Sequence, residues 1–220
     1  MWLKHYKLNE NEQKLVNMSN KEFDKYMMEN YPEMFVLRTY QENQKIVLPM
    51  NFGFGIGPGW QHVLDNLCKK LKVIYDLTGI VCVFTQIKEK FGSARFYMRT
   101  DTKNATIEEK CHKEVVGIIE DLVDMYEEYT NYVCEELGTN VNPEDKVQTG
   151  SWMYGMSVEG YEKMLKEGKS FTDIDHRIEM AKDDVIRKKK LREIKDDIYC
   201  FSLEQLEELS KSIDKIIPKK

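Results

Sequence analysis

The chain has 220 residues, 41% of them hydrophobic and 32% charged, with a formal net charge of −5. That length suits one substantial domain, or a domain with an appendage, and is enough to bury a core. The composition excludes a collagenous chain, a disordered acidic tail and a disulfide-framed miniprotein, and no apolar run approaches the roughly 20 residues that span a bilayer.

The first eighteen residues are polar with scattered apolar positions and read as a helix or a docked arm. Ser19-Asn20-Lys21-Glu22 has the pattern of a capping box, so a short helix is expected through Phe23, Tyr26 and Met27, ending before Pro32. Met34 to Tyr40 and Lys45 to Leu48 are strand candidates around a polar turn. Gly53-Phe54-Gly55-Ile56-Gly57-Pro58-Gly59 is a loop, followed by a helix from Trp60 with Val63, Leu64, Leu67, Leu71 and Ile74 at helical spacing, ended by Gly79. Ile80 to Ile87 is β-branched and apolar, Lys88 to Gly92 reads as a turn, and Ala94 to Arg99 alternates. Residues 80–99 are therefore a β-hairpin, with Arg95, Tyr97 and Arg99 on the side opposite Ala94, Phe96 and Met98.

Thr106-Ile107-Glu108-Glu109 is a second capping pattern, predicting a long helix to about Glu136 that Gly138 terminates. Its expected buried stripe is Ile107, Cys111, Val115, Ile118, Leu122, Met125, Tyr129 and Val133. A loop around Pro143 and Trp152 leads to a short helix over Val158 to Glu167, stopped by Gly168. Ser170 or Thr172 then caps a helix to about Tyr199, and Ser202-Leu203-Glu204-Gln205 opens a last one with Leu206, Leu209, Ile213 and Ile216 as its stripe. The fold class expected is α+β: a small antiparallel sheet with a β-hairpin packed on helices, plus a C-terminal helical hairpin. The division expected is a core domain over 1–156 and a helical appendage over 157–220.

Five cysteines at irregular spacing (Cys68, Cys82, Cys111, Cys134 and Cys200) read as reduced thiols rather than a disulfide framework. With no secretory pattern at Met1-Trp2-Leu3-Lys4-His5, a cytoplasmic protein is expected. Charge is uneven: residues 1–105 carry 15 basic against 11 acidic side chains, residues 106–169 carry 6 against 15, and residues 170–220 carry 12 of each. The middle segment thus suits a basic partner and repels nucleic acid.

Each candidate site has a structural counterpart. Gly55, Gly57 and Gly59 ahead of Trp60 and His62 could let backbone N–H groups approach a phosphate. The lysine and hydroxyl of a P-loop are absent, however, and a turn packed under Trp60 explains the glycines as well. Cys111 and His112 are adjacent and point apart, and no Cys-x-x-Cys or His-x-x-x-His pair occurs, so no metal or cofactor is expected. The four histidines are scattered and no nucleophile elbow is present, so the chain reads as a non-enzyme. The run Arg187 to Arg192 could grip phosphates, but acidic pairs one turn away on each side suit intrahelical pairing. Lys88, Lys90, Arg95 and Arg99 place positive charge beside aromatics on the hairpin, a surface that could stack bases, meet an acidic partner or pair with the acidic helix of the same molecule.

The strings Gly57-Pro58-Gly59-Trp60, Leu64-Asp65-Asn66-Leu67-Cys68 and Gln86-Ile87-Lys88-Glu89-Lys90-Phe91-Gly92-Ser93-Ala94-Arg95-Phe96-Tyr97 resemble a family of uncharacterised phage and prophage proteins, as does Tyr31-Pro32-Glu33-Met34-Phe35. The likeness spans about residues 20–138. Many of those proteins end the unit with two cysteine pairs that look like a zinc knuckle. Here Cys134 stands where the first cysteine would, Leu137 replaces the second, and Trp152-Met153-Tyr154-Gly155-Met156 has none, so the resemblance implies no metal. It implies a phage or mobile-element protein, and 27 lysines against 6 arginines suit a low-GC host.

The function expected is a non-enzymatic factor that binds and inhibits a host protein, of an anti-defence type, by docking Glu120, Asp121, Asp124, Glu127 and Glu128 on a basic surface. The alternatives are a nucleotide or small-molecule binder or enzyme built on the glycine loop, and a nucleic-acid-binding module built on the hairpin cations and the Arg187 to Arg192 run. Nucleic acid is the less favoured partner, no membrane is expected, and the C-terminal helices could pack on their own core or in a homodimer.

Overall fold

The computed structural model describes residues 7–35, 53–149, 152–168 and 174–199. It has the expected α+β character. Helices α1 (Glu10–Val16), α2 (Asn20–Asn30) and α3 (Gln61–Thr78) precede a hairpin of β1 (Val81–Lys90) and β2 (Ser93–Asp101). Helix α4 (His112–Thr130), a short ladder of β3 (Gln148–Thr149) and β4 (Trp152–Met153), α5 (Val158–Lys166) and α6 (Ile174–Tyr199) follow.

Local chemistry sets most of the ends. Asn9 and Ser19 each close a capping box, with Glu12 and Glu22 reaching back to the cap N–H; such caps contribute about 1 kcal/mol each. Gly79, at φ 69°, stops α3 in the left-handed conformation that only glycine adopts freely. Ser157 caps α5 by accepting from the Gly160 N–H.

A two-stranded ribbon is marginal by itself and needs a partner on its apolar face. Here β1 lies against α3 and β2 against α4. Five phenylalanines run through the joint, with ring centroids 5.2–6.3 Å apart in the order Phe23, Phe54, Phe35, Phe84 and Phe96. Trp60, Leu64, Leu67, Cys68, Ile119 and Val133 complete this main core. A second cluster gathers Cys134, Val141, Val147, Met156, Tyr161, Leu165, Ile178 and Ala181. The expected division at 156 falls inside it.

Several expectations are corrected. Strand β1 continues to Lys90, so the hairpin turn is only Phe91-Gly92 rather than the five residues from Lys88. A bulge between Phe84 and Gln86 lets one strand carry the extra residue. Met34 lies in a turn, with its carbonyl accepting from Phe84 N at 3.0 Å, rather than opening a strand. The capping box at Thr106 does not form. Thr106 N donates to Thr78 O, and a 3-10 turn at Glu109–Cys111 precedes α4.

Helix α4 ends at Thr130, not near Glu136, and its buried face is Ile119, Val123, Tyr126 and Thr130. Ile118 and Met125, expected in the core, are 53% exposed. The apolar residues of this segment occupy two faces, and periodicity chose the wrong one for those positions. Gly138 has the expected positive φ, but it closes a turn whose N–H returns to Cys134 O. The remainder of the strand candidates after Phe35, the caps at Ser170 and Thr172, and the elements after Tyr199 lie outside the described residues. Among the described residues no helix is long and apolar enough to cross a membrane.

Candidate functional site

The glycine loop is filled by the chain itself. Gly57 N donates to Glu135 Oε1 at 2.9 Å and Gly59 N to the Glu135 carbonyl at 2.6 Å. A Cβ at Gly59 would run into the carbonyl of Cys134 and the amide of Gly138. Trp60 is fully buried and its Nε1 donates to Val133 O at 2.9 Å. The loop, read from sequence as either a packing turn or a phosphate cradle, therefore holds the 133–138 segment, and its N–H groups at Gly57 and Gly59 are already engaged. Burial lowers the pKa of His62 to about 4, so at neutral pH it is an uncharged core imidazole.

Beside the loop is a buried acid–base centre that sequence reading missed. Lys146 is 2% exposed; its Nζ donates to Gly92 O at 2.5 Å and Thr130 O at 3.1 Å, and lies 5.8 Å from the Trp60 ring. Burial lowers its pKa to about 8, opposed by the charge of Glu135. Burial raises Glu135 to about 7, opposed by the Gly57 N–H bond. The centre is sealed from solvent and joins the hairpin tip, the end of α4 and the glycine loop. A second buried acid, Asp65, accepts from Tyr31 at 2.7 Å and Tyr26 at 3.1 Å and pairs with Lys69 at 2.6 Å, so it fastens α2 to α3. The signal for the Glu135 contact was the glycines at 57 and 59 that admit a close approach, not any spacing of the charged residues.

The acidic residues of α4 divide. Glu120, Asp121, Asp124 and Glu128 are exposed. Glu127 turns to the hairpin instead, accepting from Phe96 N at 2.5 Å and lying 3.8 Å from Arg95 Nε. Ile118, Asp121, Met125, Glu128 and Tyr132 follow one another at three- and four-residue steps, which puts the α4 members on one exposed stripe continued by Tyr132. The exposed Ile118 and Met125 thus stand between carboxylates on that stripe.

On the hairpin, Lys88 opposes Arg95, Gln86 opposes Tyr97 and Val83 opposes Arg99. Arg95 also donates to Ser93 Oγ and to Ala94 O. Of the run at 187–192, Arg187 and Lys188 pair with Asp184 one turn back, and Arg192 joins Glu144 and Asp145. The cleft between α6 and the 145–159 segment, about 470 Å³, is lined by Asp145, Glu159 and Glu193 against Lys189 and Arg192, with no net attraction for an anion.

Cys134 lies in the second apolar cluster, with Ser157 Oγ at 3.8 Å from its sulfur. Among the described residues no group of three His, Cys, Asp or Glu side chains is placed to hold a metal ion. Comparison with protein families, curated proteins and solved structures gives no match for this chain.

Proposed function

We propose that this protein is a non-catalytic binding factor whose docking surface is the exposed stripe of α4, and that its partner presents a basic, partly apolar surface. The observation that carries this reading is the pair Ile118 and Met125, each 53% exposed and interleaved with Asp121 and Glu128. Glu120 and Asp124 flank them. The apolar pair supplies buried area at the centre of the contact, and the carboxylates at its rim steer a cationic partner and set the salt dependence. The anti-defence role extends this reading through the sequence resemblance to phage proteins: the partner would then be a host protein.

The test is capture of partners by the tagged protein from a low-GC bacterial lysate treated with nuclease. Wild type is compared with a variant carrying Ile118→Ser, Asp121→Asn, Met125→Ser and Glu128→Gln. A stoichiometric, nuclease-resistant partner held by wild type and lost by the variant supports the reading. A partner held equally by both excludes α4 as the docking surface.

A further inference from the structure

The hairpin has a second exposed surface, which is cationic and aromatic. Its register places Lys88, Lys90, Arg95, Tyr97 and Arg99 on the face opposite the buried Ile87, Ala94 and Phe96. Lys88 Nζ lies 5.0 Å from the Tyr97 ring and Lys90 Nζ 5.6 Å from that of Phe91. Arg95 is partly neutralised by Glu127, and the acidic Asp101 sits at the far end of the ribbon, opposite Val81. Lys88 and Lys90 give the tip half of this face its net positive charge, and Arg99, opposite Val83, extends it toward the base of the ribbon.

The tip itself is unusual. Phe91 has φ 53° and Gly92 φ 79°, so both turn residues are left-handed, an arrangement that Asn-Gly satisfies without strain and phenylalanine does not. Core burial does not explain the choice, because Phe91 is 61% exposed. Nor is the ring at the end of a loose loop. Gly92 N donates to Glu89 Oε1 at 2.7 Å, its carbonyl accepts from the buried Lys146, and Met153 packs against its Cα. A strained backbone therefore presents a largely exposed aromatic ring next to Lys90, a pattern that points to a ligand.

We propose that this tip and the adjoining face of the hairpin bind single-stranded nucleic acid, with Phe91 and Tyr97 stacking on bases and Lys88, Lys90 and Arg99 contacting phosphates. An acidic peptide would satisfy the cations but gives no role to two exposed rings, and bases paired in a duplex keep their faces stacked inside it. Unpaired bases use both features. The proposal does not rest on the α4 reading.

The test is fluorescence anisotropy of the full chain with labelled oligo(dT) and oligo(rU) of about 20 nucleotides, the corresponding duplex, and a polyglutamate peptide of similar charge. With three phosphate contacts, log affinity is expected to fall against log salt with a slope of about −2 between about 50 and 200 mM NaCl. Replacing Lys88 and Lys90 with Gln should bring that slope to about −0.7. Tyr97→Ala should weaken binding by about 10-fold, within the range for loss of one stacked base. Phe91→Asn is the deciding variant: asparagine suits the left-handed turn, so the melting temperature should hold or rise while affinity falls at least about 5-fold. The proposal is overturned if single strands fail to bind at low salt, if duplex or polyglutamate binds as tightly, or if Phe91→Asn leaves affinity unchanged.

Discussion

The ammonium of Lys146 lies 2.5 Å from the carbonyl of Gly92, a residue at the tip of a hairpin 54 positions earlier in the chain. With its second bond to Thr130 O and its place beside Trp60, that one side chain ties the C-terminal loops to the sheet, to α4 and to the glycine loop. Replacing Lys146 with methionine keeps its bulk but leaves two buried carbonyls without this donor and removes the partner charge of Glu135. A loss of about 3 kcal/mol is expected, read from the denaturant midpoint between pH 7 and 8, where Glu135 is mostly ionised and Lys146 mostly charged. A midpoint shift under about 0.5 kcal/mol, the range of ordinary surface changes, would show that the centre is not a structural tie.

Glu135 makes the stability depend on pH with a definite sign. Its folded pKa, about 7, is above its ordinary value of 4.5, so between these two values the folded state holds more protons than the unfolded state. The stability it contributes is complete below pH 4.5 and is lost as pH rises through 7. Glu135→Gln removes this dependence, so wild type should lose stability relative to the variant across that window. His62 acts oppositely. Its folded pKa, about 4, is below 6.5, so its contribution is present above pH 6.5 and lost as pH falls through 4. In Glu135→Gln the opposing Glu135 contribution is gone, and the thermal midpoint should climb from pH 4 toward 6.5 more steeply than in wild type. Parallel profiles for the two proteins would contradict the buried position of Glu135.

Gly59 is chosen for the room it leaves. A methyl group there meets the backbone of Cys134 and Gly138, which cannot swing aside as a flexible side chain could. Gly59→Ala is expected to cost about 3 kcal/mol through overpacking, whereas Gly117→Ala, at an α4 position with open space around its Cα, should gain up to about 1 kcal/mol. Thermal melts of the two variants decide the matter, and equal shifts would refute the close packing of the loop on residues 134–138.

Adjacent isoleucines on α4 test which face is buried. Ile119 is 1% exposed and Ile118 is 53% exposed. Ile119→Ala should cost about 3 kcal/mol, as core truncations do, while Ile118→Ala should stay within about 0.5 kcal/mol, as surface changes do. The reverse order in chemical denaturation would restore the stripe that periodicity alone selects.

How far the fold was legible depended on whether its cause was local. The Ser19 capping box, the stop at Gly79, the β-branched run of β1 and the alternation along β2 each express a preference of a few neighbouring residues, and each stands where the sequence puts it. The face of α4 was not legible in the same way. Its apolar residues admit two stripes, and contact with β2 and α3 decides between them. Nor could the end of α4 be read, since Thr130 and Lys146 hold it through bonds to the hairpin tip and to each other.

The same division holds for the candidate sites. The alternation of Arg95, Tyr97 and Arg99 was visible because a strand repeats every two residues, so the β2 half of the cationic aromatic face followed from sequence alone, whereas Lys88 and Lys90 join it only because β1 runs on to Lys90. That the glycine loop would be occupied by Glu135, that Glu127 would leave the acidic surface for the hairpin edge, and that Lys146 would be buried was decided only by tertiary structure. Local spacing carries the period of a helix or strand, but a buried charge is stable only where partners distant in the chain converge on it. No window of neighbouring residues contains that convergence.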